Sequence, residues 1–142
     1  MHQENKQIVL NLWDCLYAKK WEDLEALLSE NCWHEDVPAP DLGARGAKNI
    51  VERVRIGFDL IERFEHDVHR VAGEKNTVFI EHTERWYFKE GEIVQNNLVS
   101  VHEVFDGKVG LWRDYWDINT MMTQAPQWWI EAVANESPRN FT

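Results

Sequence analysis

The chain has 142 residues, a length that favours one domain over two. Hydrophobic residues make up 44% and charged residues 28%, an ordinary globular composition that excludes disordered and collagen-like classes. The formal net charge is −10, with 25 acidic and 15 basic residues. Because such a surface repels phosphate backbones and anionic lipids, we expect neither a nucleic-acid partner nor a membrane partner.

The N-terminal residues and the cysteines indicate an ordinary cytoplasmic protein. The sequence has no apolar run of about 18 residues, and Met1-His2-Gln3-Glu4 does not open a secretory signal. Cys15 and Cys32 lack metal-ligand spacing, and we interpret them as small core residues. The eight tryptophans are more informative, because an excess of Trp suits a wide apolar pocket or a subunit interface.

Apolar residues recur at helical spacing in the first half of the chain, residues 4–64. The pattern predicts helices over residues 8–16, 24–28 and 50–64. Between the last two, residues 31–46 contain two prolines and two glycines, and we expect a loop there.

The second half of the chain changes to a period of two. Strands are predicted over residues 78–80, 83–88, 93–105 and 109–116. The turns between them are short, and Asp106-Gly107 is a strong hairpin signal, so consecutive strands should pair antiparallel. We expect a short helix opening at Pro126. The resulting class is α+β, a single domain over residues 1–142 with a C-terminal extension from about residue 118.

No cofactor or metal motif is present in the sequence. There is no glycine-rich phosphate-binding loop, no His-Glu-x-x-His pair and no serine nucleophile elbow. Of the six histidines, His34 alone lies in a segment that could line a site. We therefore expect no cofactor and no metal, and any catalysis should come from carboxylates, Arg and Tyr on the sheet.

Strand alternation identifies a candidate charged pair among aromatic side chains. Arg85 shares one strand face with Tyr87, and Asp114 shares a face of the last strand with Trp112 and Trp116. A charge among aromatic residues on the helix-covered side is costly unless it is paired, so Arg85 and Asp114 are predicted partners at the floor of a pocket. The alternative is a structural pair or a solvated outer face.

These residues carry a resemblance to a known family. The segment Trp112-Arg113-Asp114-Tyr115-Trp116-Asp117, together with His82-Thr83-Glu84-Arg85, resembles the limonene-1,2-epoxide hydrolase family. That family belongs to the SnoaL-like superfamily with the fold of nuclear transport factor 2 and ketosteroid isomerase. The resemblance implies a cone in which N-terminal helices pack on a strongly curved, mixed but mainly antiparallel sheet around an apolar pocket.

The resemblance also implies roles for individual residues. In the family, one carboxylate takes a proton from water and another protonates the epoxide oxygen, with an Arg bridging them. Carried over, Asp114 matches the base and Arg85 the bridging Arg, while the acid position two residues later holds Tyr87. The positions that hold the water are filled by Trp33 and Glu35 instead of Tyr and Asn. The predicted catalytic residues are Asp114, Arg85, Tyr87 and Glu35, and the predicted substrate-binding residues are Trp33, Trp112, Trp116 and Phe58.

Three functions remain open from the sequence. The first is cofactor-free hydrolysis of an epoxide, or a close derivative of that chemistry, on a small apolar substrate with one oxygen function. The second is a proton-transfer enzyme of the ketosteroid isomerase type (an isomerase, cyclase or dehydratase), in which Asp114 or Glu35 abstracts a proton and Tyr87 holds the enolate oxygen. The third is a pocket that binds a ligand without chemistry. The resemblance implies a homodimer in each case.

Overall fold

Helices precede the main run of strands along the chain in the computed structural model, which describes residues 2–136 and 139–142. The first half contains α1 (His2–Tyr17), α2 (Trp21–Leu27), β1 (Leu28–Asp36), β2 (Ala44–Arg45) and α3 (Ala47–Phe58). The second half contains β3 (Arg63–Glu74), β4 (Thr77–Tyr87), β5 (Ile93–Phe105), β6 (Lys108–Tyr115), α4 (Ile118–Gln124) and α5 (Gln127–Glu136).

The strands form one six-stranded sheet in the order β2-β1-β6-β5-β4-β3. All neighbours pair antiparallel except β1 and β6, which are parallel. Asp106 and Gly107 have φ values of 53° and 80°, the left-handed conformations that a two-residue hairpin turn requires. The predicted α+β class, with a mixed and mainly antiparallel sheet, is confirmed.

In the second half of the chain, β3 was not predicted, and the strands predicted over residues 78–80 and 83–88 are one strand, β4. Two predictions for the first half also differ from the structure. The third helix ends at Phe58 rather than near residue 64, and the chain re-enters the sheet at Arg63. Ile61 follows the helical spacing, but it is buried beside Trp86 in a separate apolar cluster. Residues 28–36 form β1 instead of the end of a helix and a loop, because they pair in parallel with the distant β6, a contact that local spacing does not reveal.

The helices cover one side of the sheet, which we call the inner face. Val9, Leu12, Trp13 and Leu16 of α1 are buried in the main apolar cluster, together with Trp112 of β6. Alternation along β4 directs Ile80, His82, Glu84 and Trp86 to this inner face. The opposite side, which we call the outer face, carries Phe79, Glu81, Arg85 and Tyr87 of the same strand. Within the described residues, no helix is both long and apolar enough to span a membrane.

Candidate active site

A cavity of about 390 Å³ lies on the inner face, bounded by α3, the sheet and the two C-terminal helices. Most of its wall is apolar and includes Trp13, Phe58, Leu98, Trp112, Trp116 and Trp129. Seven polar side chains interrupt this wall: His34, Asp36, Asp41, Arg53, Glu84, Asn96 and Asp114. An apolar cavity with a few converging polar groups is the usual form of a small-molecule site.

Asp114 is buried in this wall, with 5% of its surface exposed. Its Oδ1 accepts hydrogen bonds from Ser100 Oγ at 2.6 Å and from Trp112 Nε1 at 3.0 Å. Its Oδ2 lies 3.5 Å from Nε2 of His34 on the neighbouring strand β1. Burial raises the pKa of Asp114, and the hydrogen bonds from His34 and Ser100 act in the opposite direction.

Arg53 of α3 holds a second, half-buried carboxylate, Asp36, beside the first. It donates to Asp36 Oδ2 at 2.9 Å and forms a two-bond pair with Asp41 at 2.6 and 2.9 Å. Trp116 Nε1 donates to the other Asp36 oxygen at 2.9 Å. Burial opposes the ionised form of Asp36, but the neighbouring His34 and Arg53 and these hydrogen bonds lower its pKa below the usual range.

His34 connects the two carboxylates. Its Nδ1 lies 3.2 Å from Arg53 Nη1, and an arginine nitrogen can only donate, so Nδ1 is the acceptor. Nε2 then carries the hydrogen that points to Asp114. The ligand atoms of His34, Asp36 and Asp114 lie within 4.8 Å of one another, a spacing that would suit a metal ion. Arg53 already supplies positive charge to Asp36 there, which disfavours a second cation, so we assign the group no metal.

Glu84 is, with Asp114, a buried carboxyl group of this wall, with 3% of its surface exposed. The Tyr17 hydroxyl donates to Oε2, and Asn96 Nδ2 donates to Oε1 at 3.2 Å. Burial, and to a smaller extent the nearby charge of Asp114, raise the pKa of Glu84 to about 7, although the hydrogen bonds from Tyr17 and Asn96 act in the opposite direction. Glu84 is therefore partly protonated near neutral pH, whereas an ordinary Glu is ionised there.

Three of the four predicted catalytic residues lie on the outer face, away from the cavity. Arg85 pairs with Asp67 at 2.9 Å and with Gln95 at 3.1 Å, so its predicted pairing with Asp114 is wrong. The Tyr87 hydroxyl bonds to Glu65. Strand alternation explains the error, because Arg85 and Asp114 point to opposite sides of the sheet.

Glu35 is also directed outwards, where it pairs with Arg113 at 2.5 Å. Trp33, its neighbour on the same side of β1, lies under the Arg45 guanidinium at 4.9 Å and does not line the cavity. The prediction that Glu35 and Trp33 lie in the pocket is therefore wrong. The next residue of β1 after each of them, Asp36 and His34, points inwards and lines the cavity instead. Of the other predicted substrate-binding residues, Trp112, Trp116 and Phe58 line the cavity.

The sequence pattern did not identify Glu84, Asp36 or Arg53 as site residues. The sequence did contain a signal for Glu84. The resemblance places the acid two residues after the bridging group, and Glu84 follows His82 at that same spacing. These two lie on the strand face opposite to Arg85 and Tyr87. Arg53 carried no signal, because a single Arg in an amphipathic helix is ordinary.

Comparison with known proteins agrees with this fold. Residues 3–127 match the family of the limonene-1,2-epoxide hydrolase catalytic domain. Epoxide hydrolase EphG of Mycobacterium tuberculosis is 28% identical over 112 residues, which cover 76% of this chain and 70% of that protein.

Two solved structures are similar in fold. One is an LEH-like epoxide hydrolase of M. tuberculosis, with a TM-score of 0.76 and 24% identity, covering 95% of this chain and 98% of the other. The second is a putative SnoaL-like polyketide cyclase from Jannaschia sp. CCS1, with a TM-score of 0.77 and 19% identity, covering 89% and 95% of the two chains. The family match extends over most of the chain and includes β1, β4 and β6, which carry Asp36, Glu84 and Asp114. The chain thus belongs to the limonene-1,2-epoxide hydrolase family.

Proposed function

We propose that the protein hydrolyses an epoxide on a small apolar substrate, without a cofactor, with Asp114 as base and Glu84 as acid. The observation that carries this proposal is the pair of buried carboxyl groups, in different environments, on the wall of one apolar cavity. Family membership supports the reaction class. Opening an epoxide with water needs a base and an acid at the same time, and two such groups meet that need.

Glu84 suits the role of acid because its pKa is raised to about 7. At neutral pH a substantial fraction of the protein then carries a proton on a carboxyl group that faces an apolar space. Tyr17 and Asn96 fix its two oxygens in place. The Oδ1 of the buried Asn96 has no hydrogen-bond partner among the described residues and is a further polar atom that a bound ligand would contact.

Asp114 suits the role of base because three donors converge on it, from Ser100, Trp112 and His34. In the proposed step Asp114 takes one proton from water while the water oxygen bonds to an epoxide carbon. The carbon–oxygen bond of the ring breaks, and Glu84 gives its proton to the released oxygen. The product is a diol, with Asp114 protonated and Glu84 ionised.

Asp36 and His34 complete the site as groups that hold the water. Asp36 stays ionised beside Arg53 and therefore offers an acceptor next to the base. Holding a water by two or more groups fixes its direction of attack, which is a large part of the catalytic effect of such sites.

Diol formation from a panel of cyclic and aryl epoxides tests the proposal. The wild type should convert at least one of them, and Asp114→Asn and Glu84→Gln should each reduce the rate by about 100-fold or more. Outer-face Glu81→Gln is the matched control and should retain the wild-type rate. Reaction in ¹⁸O-labelled water should place the label in the diol in a single turnover. A folded wild type that converts no epoxide on the panel would contradict the proposal.

A second function is favoured by one observation, the contact of the Tyr17 hydroxyl with the buried Glu84. A tyrosine beside a protonated carboxylic acid can hold an enolate oxygen in an apolar site, the arrangement for which ketosteroid isomerase is the known example. Asp114 would then move a proton from carbon. Deuterium incorporation from solvent into β,γ-unsaturated ketones identifies this activity. Ligand binding with neither diol formation nor exchange would indicate a pocket without chemistry.

We also propose that the chain forms a homodimer through the outer face of the sheet. Phe79, Val99 and Tyr115 expose 44%, 42% and 45% of their surface there. Val99 and Tyr115 are paired across β5 and β6, so their side chains form a continuous patch. The mass in solution tests this directly, and Val99→Lys should shift a dimer towards the monomer.

A further inference from the structure

A chain of hydrogen bonds crosses four neighbouring strands and ends at Asp114. His66 Nε2 on β3 lies 2.8 Å from His82 Nδ1 on β4. His82 Nε2 lies 2.9 Å from Ser100 Oγ on β5, and Ser100 Oγ lies 2.6 Å from Asp114 Oδ1 on β6. The chain thus runs across the sheet on its inner face, with one member on each strand.

Every intermediate member can both donate and accept a hydrogen bond. A serine hydroxyl does so by rotation, and a neutral imidazole carries a hydrogen on one nitrogen and a lone pair on the other. Burial lowers the pKa of His82 to about 2 and that of His66 to about 4, so both rings are neutral over the physiological range. A neutral ring can accept a proton on one nitrogen while it gives one up from the other. A charged imidazole cannot do this, because both of its nitrogens are donors.

The chain leads away from the cavity and towards solvent. Ser100 and His82 are buried, with 0% and 1% of their surface exposed, whereas His66 is half-buried at the end of the chain. None of these three residues lines the cavity that Asp114 faces. Trp13 and Tyr17 of α1 pack against the His66 ring and shield its link to His82. His102 takes no part, because it bonds to Trp13 and to the Val78 carbonyl oxygen.

We propose that His66, His82 and Ser100 form a proton relay that returns Asp114 to its ionised state after each turnover. The inference rests on the proposed function, in which Asp114 ends a turnover holding a proton from water and Glu84 ends it without one.

Ionised Asp114 accepts from the Ser100 hydroxyl, so in the resting state the hydrogens on His82 Nε2 and His66 Nε2 point towards Asp114. Once Asp114 holds a proton, Ser100 accepts from Asp114 instead, and both rings take the opposite tautomer, with their hydrogens on Nδ1. The proton on Asp114 then passes to Ser100, the Ser100 hydrogen passes to His82 Nε2, and the Nδ1 hydrogen of His82 passes to His66 Nε2. His66 releases a proton to solvent, and Glu84 regains one from solvent, so charge and protons balance over the cycle.

The test compares two histidines of β3, His66→Gln and His69→Gln. His69 is the matched control, since it is exposed and bonds to Thr83 rather than to the chain. His66→Gln should lower kcat for diol formation by about 10-fold or more with little change in KM, and added imidazole should restore the rate. The solvent isotope effect on kcat should also rise. His69→Gln should match the wild type.

Two outcomes would overturn the relay. The first is that His66→Gln has the same kcat as His69→Gln. The second is a lower kcat that imidazole does not restore and that leaves the isotope effect unchanged, because a purely structural role of His66 predicts that result.

A measurement without turnover separates failure of the relay from failure of the proposed function. With ¹⁵N-labelled histidine, NMR should show His66 and His82 as neutral rings, and Asp114→Asn should shift the resonances of both while leaving His69 unchanged. Unmoved His66 and His82 resonances would overturn the relay even in an active enzyme. If the wild type forms no diol, the hydrolase proposal fails, and these shifts still decide whether the chain connects to Asp114.

Discussion

The two faces of β4 and β6 carry similar numbers of charged side chains but place them in different physical settings. On the outer face, Arg85 pairs with Asp67, and Arg113 of β6 pairs with Glu35, all at least partly exposed to water. On the inner face, Glu84 and Asp114 are nearly inaccessible. Pairs in water contribute about 0–1 kcal/mol, whereas a buried carboxyl shifts its pKa or must find donors. The proposed catalytic groups therefore differ from the other charged residues of these strands in their burial, not in carrying a charge.

The largest expected difference between the faces is in catalysis. Asp114→Asn keeps the shape of the side chain but removes the base, and diol formation should fall by about 1,000-fold. Asp67→Asn makes the same change on the outer face and should leave the rate unchanged. Steady-state kinetics on one accepted epoxide measures both. Equal losses in the two variants would mean that the inner carboxylate has no special role.

The second difference lies in stability and involves two arginines of α3. Arg53→Met leaves Asp36 and Asp41 without their partner, so the free energy of unfolding should fall by about 3–5 kcal/mol. Arg55→Met breaks a surface pair with Asp59, which should cost less than about 1 kcal/mol. Denaturant unfolding of the two variants provides the comparison. A small loss for Arg53→Met would show that the buried network contributes little to the fold.

The third difference is in the pH dependence of stability. The folded-state pKa of Glu84 is raised from 4.5 to about 7, so its contribution to stability is fully present below pH 4.5 and is lost as pH rises through about 7. Above that range the loss is about 3 kcal/mol, since one pKa unit corresponds to about 1.4 kcal/mol. Glu84→Gln should remove this decline, and Glu81→Gln should retain it. Unfolding curves between pH 5 and 9, a range of roughly two units on either side of that pKa, show which occurs.

The sequence predicted β4, β5, β6 and the hairpin at Asp106-Gly107 because alternation and turn chemistry are local properties. It did not predict β3, whose side chains are mostly exposed. It also identified Asp114 and its inward tryptophan neighbours, since the last strand alternates cleanly. The position of β1 was not predictable in the same way. Its parallel pairing with β6 joins residues about 80 positions apart, and without that pairing the inward direction of His34 and Asp36 is undetermined.

The sequence pattern also does not determine which face of β4 is covered by the helices. Both faces contain aromatic and charged residues, so alternation alone permits either Arg85 with Tyr87 or His82 with Glu84 to face the helices. The structure decides it by the packing of Trp13 of α1 against His82. Three-dimensional packing, not composition, therefore separates the candidate acid Glu84 from the outer-face Tyr87.

The most direct test of this account compares Glu84→Gln with Tyr87→Phe on the same epoxide. Each substitution removes one proton donor, Glu84 on the inner face and Tyr87 on the outer face. If Glu84 is the acid, kcat/KM falls by about 100-fold or more in Glu84→Gln and stays within about twofold of the wild type in Tyr87→Phe. A large loss in Tyr87→Phe with a small one in Glu84→Gln would contradict the assignment of the acid to the inner face.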